Sequence, residues 1–265
     1  MNMHRVRTII DKEWSEVFKN RMVLFTVAFM PVILTALPLI ILYAMGQAGP
    51  EMTSSSADVP PEFLEACADA TGMECIQRFM MNQFMIMFMM MPLMIPTAIA
   101  AYSIVGEKTT RSLEPLLATP VTTQELLVGK AAAAALPAIL LSWLCFGIFV
   151  LLLPLAGGTP GLIRYVIGPT WLLAILVIGP LLALAAVNLA VIVSSRVNDP
   201  RVAEQVSGVL IVPIMGLLFG QIAGLIVLNV NLMVVSILVT LALDVVLVIM
   251  GTRMFQRETI LTRWK

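Results

Sequence analysis

The chain has 265 residues and a formal net charge of zero, with 60% hydrophobic and only 12% charged residues. Soluble globular domains typically contain about 25% charged residues, so this composition and the mean hydropathy of +0.98 exclude a water-soluble protein. The zero net charge gives no indication of a nucleic-acid partner, and we expect none. The chain is expected to reside in a lipid bilayer.

Six apolar stretches are long enough to cross a membrane, because a transmembrane helix needs about 20 mostly apolar residues. They lie at residues 22–45, 79–104, 131–153, 166–193, 206–228 and 232–251. The stretches lack the period-two alternation of membrane barrel strands, and a helix satisfies its own backbone polar groups in lipid. The sequence therefore predicts an all-α integral membrane protein of six transmembrane helices, which form a single domain over residues 1–265.

Residues 1–21 predict an amphipathic helix ahead of the first span. Apolar side chains recur there at spacings of three and four, with charged residues between them: Val6, Ile10, Trp14, Val17 and Phe18. Such a helix can lie in the inner headgroup layer of the membrane as an interfacial helix. The alternative is an ordinary helical cap packed on the bundle.

The basic residues predict the orientation of the chain. If the N-terminus is cytoplasmic, every lysine and arginine except Arg78 and Arg164 falls on the cytoplasmic side, as the positive-inside rule requires. Six spans return the C-terminus to the same side. We therefore expect a multi-pass protein of the cell membrane with both termini in the cytoplasm, an extracytoplasmic loop at residues 46–78 and a cytoplasmic segment at residues 106–130.

The cysteines are compatible with this topology. Cys67 and Cys75 lie in the predicted outer loop, where disulfides can persist. Their spacing permits a bridge but does not establish its geometry. Cys145 lies inside the third span and is expected to be a small packing residue.

Several kinds of chemistry are excluded by what the sequence lacks. Gly129 and Lys130 are followed by Ala131 and have no glycine at the required upstream position, so they do not form a phosphate-binding loop. His4 is the one histidine, which leaves no ligands for a two-histidine metal site and no base for a histidine-dependent protease. The methionines of the second span point in nearly every direction, which favours packing over a Cu(I) site. We expect neither enzymatic activity, nor a metal, nor a bound cofactor.

Three polar residues within the spans are candidates for special roles. Asp244 in the last span is costly in lipid and should face protein or water; it is either a residue of the transport pathway or a structural carboxyl at a helix contact. Asn188 and Gln221 are expected to form hydrogen bonds between helices.

Glycines and prolines suggest close packing and bending of the spans. Gly216, Gly220 and Gly224 recur every four residues and are predicted to share one helix face, where a neighbouring helix can approach closely. That neighbour belongs either to this chain or to a second copy. Prolines in the middle spans favour kinks: Pro92, Pro96, Pro137, Pro180 and Pro213.

The 106–130 segment mixes apolar and charged residues between two spans. Pro115 and Pro120 predict where short helices start or stop, and Thr122 with Glu125 three residues later predicts a capping box. We expect a short helix, a turn and a second short helix. Structured leucines at a membrane surface indicate a docking site for a partner.

The residues of this segment resemble the cytoplasmic signature of type 2 ABC exporter permeases. The similarity rests on Glu107, on Ser112-Leu113-Glu114-Pro115-Leu116-Leu117-Ala118-Thr119-Pro120-Val121, and on Glu125-Leu126-Leu127-Val128-Gly129-Lys130. It extends to the opening Lys12-Glu13-Trp14 helix, to the Ser194–Arg201 turn between spans four and five, and to the basic tail. The family often has re-entrant outer helices between spans five and six. In this chain Asn229–Asn231 alone separate the two apolar runs. Either the re-entrant element is abbreviated, or the fifth span ends earlier and Gly216–Val230 form part of that element.

The resemblance implies the membrane permease of an ATP-driven exporter. Two copies, or one copy and a related permease, would form the pathway, with ATP and Mg²⁺ bound by separate cytoplasmic ATPase subunits. The 106–130 segment would couple the two parts through these residues: Glu107, Arg111, Leu113, Glu114, Leu116, Leu117, Thr119 and Pro120. The alternatives are an ion-coupled secondary transporter using Asp244, and a membrane-embedded assembly or sensor subunit.

Overall fold

The computed structural model describes residues 2–19, 21–47, 72–109 and 122–254, and every regular element within these ranges is helical. The helices are α1 (Met3–Lys19), α2 (Arg21–Gln47), α3 (Met73–Phe88), α4 (Met91–Thr109), α5 (Thr123–Leu152), α6 (Pro160–Val166), α7 (Pro169–Leu173), α8 (Gly179–Ser194), α9 (Pro200–Ser207), α10 (Ile211–Ile222) and α11 (Val230–Met254). A π-helical turn (Ala174–Ile178) joins α7 to α8, and a 3₁₀ turn (Gly208–Leu210) joins α9 to α10.

Six stretches of these helices are long and apolar enough to cross a membrane: Val23–Gln47, Met73–Lys108, Gln124–Leu152, Pro160–Ser194, Pro200–Ile222 and Val230–Thr252. The predicted all-α, six-span architecture is thus confirmed. Its boundaries differ, since residues 73–78, predicted as part of the outer loop, form the first turns of α3.

The fifth span begins earlier and ends earlier than predicted. Its start is set by Asp199, whose Oδ1 accepts a hydrogen bond from the Arg201 backbone at 2.8 Å, and by Pro200, which is favoured in a first helical turn. Its end is set by Gly224, which has φ of 73°, a left-handed conformation that favours glycine. Local backbone chemistry therefore places this span at Pro200–Ile222 instead of residues 206–228.

The prediction that Gly216, Gly220 and Gly224 share a helix face is wrong, because Gly224 lies beyond the end of α10. A Cβ on Gly220 would lie 2.7 Å from Cδ1 of Ile226, while one on Gly216 would have nothing within 4 Å. The absence of a side chain at Gly220 thus leaves room for Ile226, in the turn of the same chain that follows α10. The described residues contain no re-entrant helix between α10 and α11.

The centre of the bundle is α8, which packs mainly against α4 and α11. Its small buried residues are Ala183, Ala185, Ala186 and Ala190, and small side chains let membrane helices approach closely. Methionines contribute to the packed core, as predicted, and Met81, Met85 and Met91 are almost fully buried in it. The outer surfaces of α2, α10 and α11 expose large apolar side chains, as expected for helices in contact with lipid.

Pro96 and Pro137 lie inside α4 and α5, whereas Pro92, Pro180 and Pro213 lie in the first turns of α4, α8 and α10. The fourth span is made of two short helices, α6 and α7, followed by a π-helical turn and α8.

Gln221 of the fifth span is predicted to form a hydrogen bond to another helix. The residue is buried, but its amide has no hydrogen-bond partner among the described residues, so the predicted bond is not found.

Candidate functional site

Three elements meet at one end of the bundle: α1, the last turn of α4 and the first two turns of α5. We call this the α4–α5 end. The helix α1 forms because its apolar residues repeat with helical period, and it packs mainly against α5. Glu13 is three residues after Ile10 and four before Val17, so it lies on the apolar face of α1. Its carboxylate therefore points into the bundle instead of toward solvent.

Glu13 meets a lysine from α5. Lys130 Nζ lies 2.7 Å from Glu13 Oε1 and 2.8 Å from Glu107 Oε2, and it also donates to Ser103 Oγ at 2.8 Å. Ser103 in turn donates to the other oxygen of Glu13. Glu13 is 2% exposed, and Lys130 and Glu107 are each 6% exposed, so the cluster is closed to water.

Lys12 adds a second cation at the edge of the cluster. Its ammonium group pairs with Glu107 Oε1, and it lies 3.6 Å from Glu16 on the solvent side. Partial burial lowers the pKa of Lys12, but the hydrogen bond and charge of Glu107 outweigh this effect and raise the pKa above its ordinary value of 10.5. Glu13 and Glu107 are therefore balanced by Lys12 and Lys130, which compensates the cost of burying charge.

A second set of contacts joins the start of α1 to the start of α5. Glu125 accepts a hydrogen bond from the Asn2 backbone at 2.7 Å and lies 3.6 Å from the Arg5 guanidinium. It also accepts from the Thr122 backbone at 3.0 Å, while Thr122 Oγ1 accepts from the Glu125 backbone at 3.2 Å. These reciprocal bonds confirm the predicted capping box. The residues predicted as a second short helix form the first turns of the 30-residue helix α5.

The packing of α1 against α5 is close. Trp14 Nε1 donates to the backbone carbonyl of Ala133 at 2.9 Å. A Cβ on Gly129 would lie 2.8 Å from Cγ2 of Ile9, so only glycine fits there without a shift. The structure therefore shows the N-terminal helix packed on the bundle, while its predicted position in the inner headgroup layer stays a prediction.

The end of α4 also contacts the turn between α8 and α9. Lys108 Nζ donates to the carbonyls of Ser195 and Val197, each at 3.3 Å. Both helices that flank residues 110–121 are thus fixed to other parts of the bundle, α4 through Glu107 and Lys108 and α5 through Glu125 and Lys130.

Residues 7–237 match the family model described as ABC-2 family transporter protein. This chain belongs to the ABC-2 transporter family. It is a membrane permease of an ABC transporter and a multi-pass membrane protein. No curated protein matches the chain.

Of the residues predicted to couple the ABC-2 permease to an ATPase, Glu107 lies in the buried cluster. The others lie outside the described residues: Arg111, Leu113, Glu114, Leu116, Leu117, Thr119 and Pro120. Cys75 is buried near the start of α3 and its sulfur is part of a disulfide. Cys67 lies outside the described residues, so the pairing of the two stays a prediction.

Asp244 of the permease lies apart from this cluster, on α11. It is 7% exposed, and neither of its carboxylate oxygens has a hydrogen-bond partner among the described residues. It lines a cavity of about 470 Å³ between α5, α8 and α11, together with Asn188. Asp244 thus lies among protein side chains beside a cavity, while the prediction that it faces protein or water and its role in the pathway stay untested by these contacts.

Sequence reasoning missed the buried cluster as a unit. It noted Glu13 and Lys130 as parts of motifs, but it did not pair them. The available signals were a carboxylate on the apolar stripe of α1 and a lysine several residues inside an otherwise apolar helix, since each such charge needs a partner when buried.

Proposed function

We propose that this permease couples ATP hydrolysis by separate cytoplasmic ATPase subunits to export of a substrate across the cell membrane. The 106–130 segment is the docking element in this proposal, and the α4–α5 end of the bundle faces the cytoplasm. ATP and Mg²⁺ bind to the ATPase subunits. The complete transporter contains two permeases, either two copies of this chain or this chain and a relative.

The observation that carries the proposal is the buried cluster of Glu13, Glu107 and Lys130. It holds together the two helices that flank residues 110–121 and fixes both to α1. A force applied to residues 110–121 by a moving ATPase would therefore reach α4, α5 and α1 together. Loss of one charge would leave another buried and unpaired at a cost of about 3–5 kcal/mol, so the flanking helices resist moving independently.

Charge distribution supports the proposed orientation. Most of the basic residues lie in three segments: the N-terminal helix, the 106–130 segment and the turn after α8. In the predicted topology these three segments lie on the same side of the membrane. Arg78 and Arg164 lie near the starts of the second and fourth spans, at the end of the bundle opposite to these basic residues. This distribution agrees with the positive-inside rule.

The test is a double substitution, Glu114→Lys with Leu117→Asp, in the full-length permease expressed with its ATPase. Glu114 is proposed to supply charge contacts and Leu117 apolar contact to a groove on the ATPase. We expect the variant to insert in the membrane at the wild-type level but to lose permease-dependent ATP hydrolysis. Co-purification of the ATPase with the permease measures docking separately from turnover.

The matched control is Arg164→Glu, a charge reversal of an exposed residue on α6, at the opposite end of the bundle from the docking element. It should leave ATP hydrolysis and co-purification unchanged. Wild-type ATP hydrolysis by the double variant would overturn the coupling assignment. Transport driven by an ion gradient in the absence of any ATPase would instead support the secondary-transporter alternative.

A further inference from the structure

A second polar feature of the molecule lies in a groove between α5, α8 and α11, which we call the Asp244 groove. Its volume is about 470 Å³, within the range of about 300–1,000 Å³ that holds drug-sized ligands. The lining is apolar apart from a few polar side chains: Gln124, Asn188, Asp244 and Thr252. Such a lining suits a ligand with an apolar body and one polar group.

The polar residues are arranged along the groove by depth. Gln124 begins the third span and Thr252 ends the sixth, so both lie at the α4–α5 end of the bundle. Asp244 precedes Thr252 by eight helical positions, a distance of about 12 Å along α11. The groove therefore runs from the membrane surface at this end to Asp244 within the span.

Among the described residues, the carboxylate of Asp244 has neither a hydrogen-bond donor nor a positively charged partner. Both oxygens are closed to solvent and neither accepts a hydrogen bond, and no ion pair involves this side chain within the described ranges. This contrasts with Glu13 and Glu107, which are buried to a similar degree but paired with lysines. A buried carboxylate without a partner is costly in a membrane, and a cationic ligand would remove that cost.

We propose that the Asp244 groove binds the ammonium group of an amphiphilic amine that enters from the adjacent membrane leaflet. The apolar body would replace lipid contacts along Leu127, Val128 and Val248, which line the groove. At its inner end the carboxylate of Asp244 turns toward the ammonium group and accepts its hydrogen bonds, and Asn188 provides a second acceptor. An inorganic cation fits less well, because the described residues contain no group of three or more His, Cys, Asp or Glu side chains placed to hold a metal ion.

The test is equilibrium binding of radiolabelled naphthylethylamine to the full-length permease in lipid nanodiscs, with empty nanodiscs as background. Naphthylethanol, which has the same body but no charge, is the matched probe. We expect saturable binding of the amine and at least about tenfold weaker binding of the alcohol, as a lost hydrogen bond to a charged group predicts. The assay contains neither ATP nor ATPase, so its failure leaves the proposed function standing.

Asp244→Asn should weaken amine binding by about tenfold or more without changing binding of the alcohol. The matched control is Glu204→Gln, which removes a half-buried carboxylate that lines a different cavity, next to α4. A third variant, Ala132→Phe, narrows the groove while keeping Asp244, and it should weaken binding of both probes. It also tests the site independently if Asp244→Asn does not fold.

Two outcomes would overturn the proposal. One is equal binding of the amine and the alcohol to the wild-type permease. The other is a reversed pattern among the variants: Glu204→Gln loses amine binding, while Asp244→Asn and Ala132→Phe bind the amine like the wild type. That pattern would place the site in the cavity next to α4.

Discussion

Lys130 Nζ lies 2.7 Å from Oε1 of Glu13, although 117 positions separate the two residues in the chain. Both side chains are more than nine-tenths buried. The pair joins the N-terminal helix to the third span at the point where the 106–130 segment ends. Because Lys130 also contacts Glu107 at the start of that segment, this single ammonium group bridges three parts of the permease.

Replacing Lys130 with methionine should destabilise the permease strongly. The substitution retains an apolar side chain of similar length but leaves two buried carboxylates, Glu13 and Glu107, and among the described residues Lys12 is the lysine that still pairs with them. Breaking a buried ion pair in this way costs about 3–5 kcal/mol. We expect a lower thermal midpoint and less monodisperse protein after solubilisation, measured by thermal unfolding and size-exclusion chromatography.

The control is Lys19→Met, which removes an exposed lysine from the last turn of α1. It should have little effect, because exposed charges contribute about 0–1 kcal/mol. Adding Glu13→Gln to Lys130→Met should recover part of the lost stability by removing one unpaired charge. If Lys130→Met is as stable as Lys19→Met, the cluster does not hold α1 on the bundle.

Gly129→Ala should loosen the contact of α1 with α5. Its new Cβ would lie 2.8 Å from Cγ2 and 2.9 Å from Cβ of Ile9. The Cβ of Ile9 is fixed to the backbone, so α1 itself must shift, and overpacking of this kind costs about 1–3 kcal/mol. The measurement is the free energy of unfolding, together with permease-dependent ATP hydrolysis.

Two comparisons isolate this contact. Ile9→Ala in the same chain as Gly129→Ala should restore stability, since it removes the atoms that clash. Gly147→Ala in the same helix has nothing within 4 Å of the added Cβ and should be neutral or stabilising, because alanine favours helix by about 1 kcal/mol over glycine. Equal effects of the two glycine substitutions would show that helix propensity, and not the Ile9 contact, governs position 129.

The sequence predicted the architecture well because the bilayer imposes strong constraints. Six apolar stretches of sufficient length could be counted directly, and the capping box at Thr122 and Glu125 follows from local spacing alone. The matching residues also led to the correct family. These features depend on neighbouring positions or on composition.

The features that were missed depend on contacts between distant parts of the chain. The pairing of Glu13 with Lys130 arises from how α1 docks on α5, which no local pattern encodes. The end of α10 depends on the positive φ of Gly224, and a repeat of glycines every four residues gave no sign that the third one leaves the helix. Helix periodicity predicts which residues share a face only while the helix continues.

Lys12 gives a prediction about pH. Its pKa is raised above 10.5, mainly because the effect of Glu107 outweighs that of burial, so the folded protein holds this proton more tightly than the unfolded chain does. The stability that Lys12 contributes is therefore complete below 10.5 and is lost as pH rises through the raised pKa. The difference in unfolding free energy between wild type and Lys12→Met should stay constant at lower pH and shrink above 10.5. A difference that disappears at neutral pH would contradict the pairing.

Thr122→Ala should weaken the start of α5 directly after the 106–130 segment. The substitution removes the acceptor for the Glu125 backbone N–H, and loss of an N-cap costs about 1 kcal/mol. Hydrogen exchange at the Glu125 amide should accelerate by roughly fivefold, while Thr122→Ser, which retains the hydroxyl, should exchange at the wild-type rate. Thr159→Ala, which removes the N-cap of α6 at the opposite end of the bundle, controls for loss of a threonine cap elsewhere. Unchanged exchange at Glu125 in Thr122→Ala would mean that its contacts with Asn2 and Arg5 hold this turn without the cap.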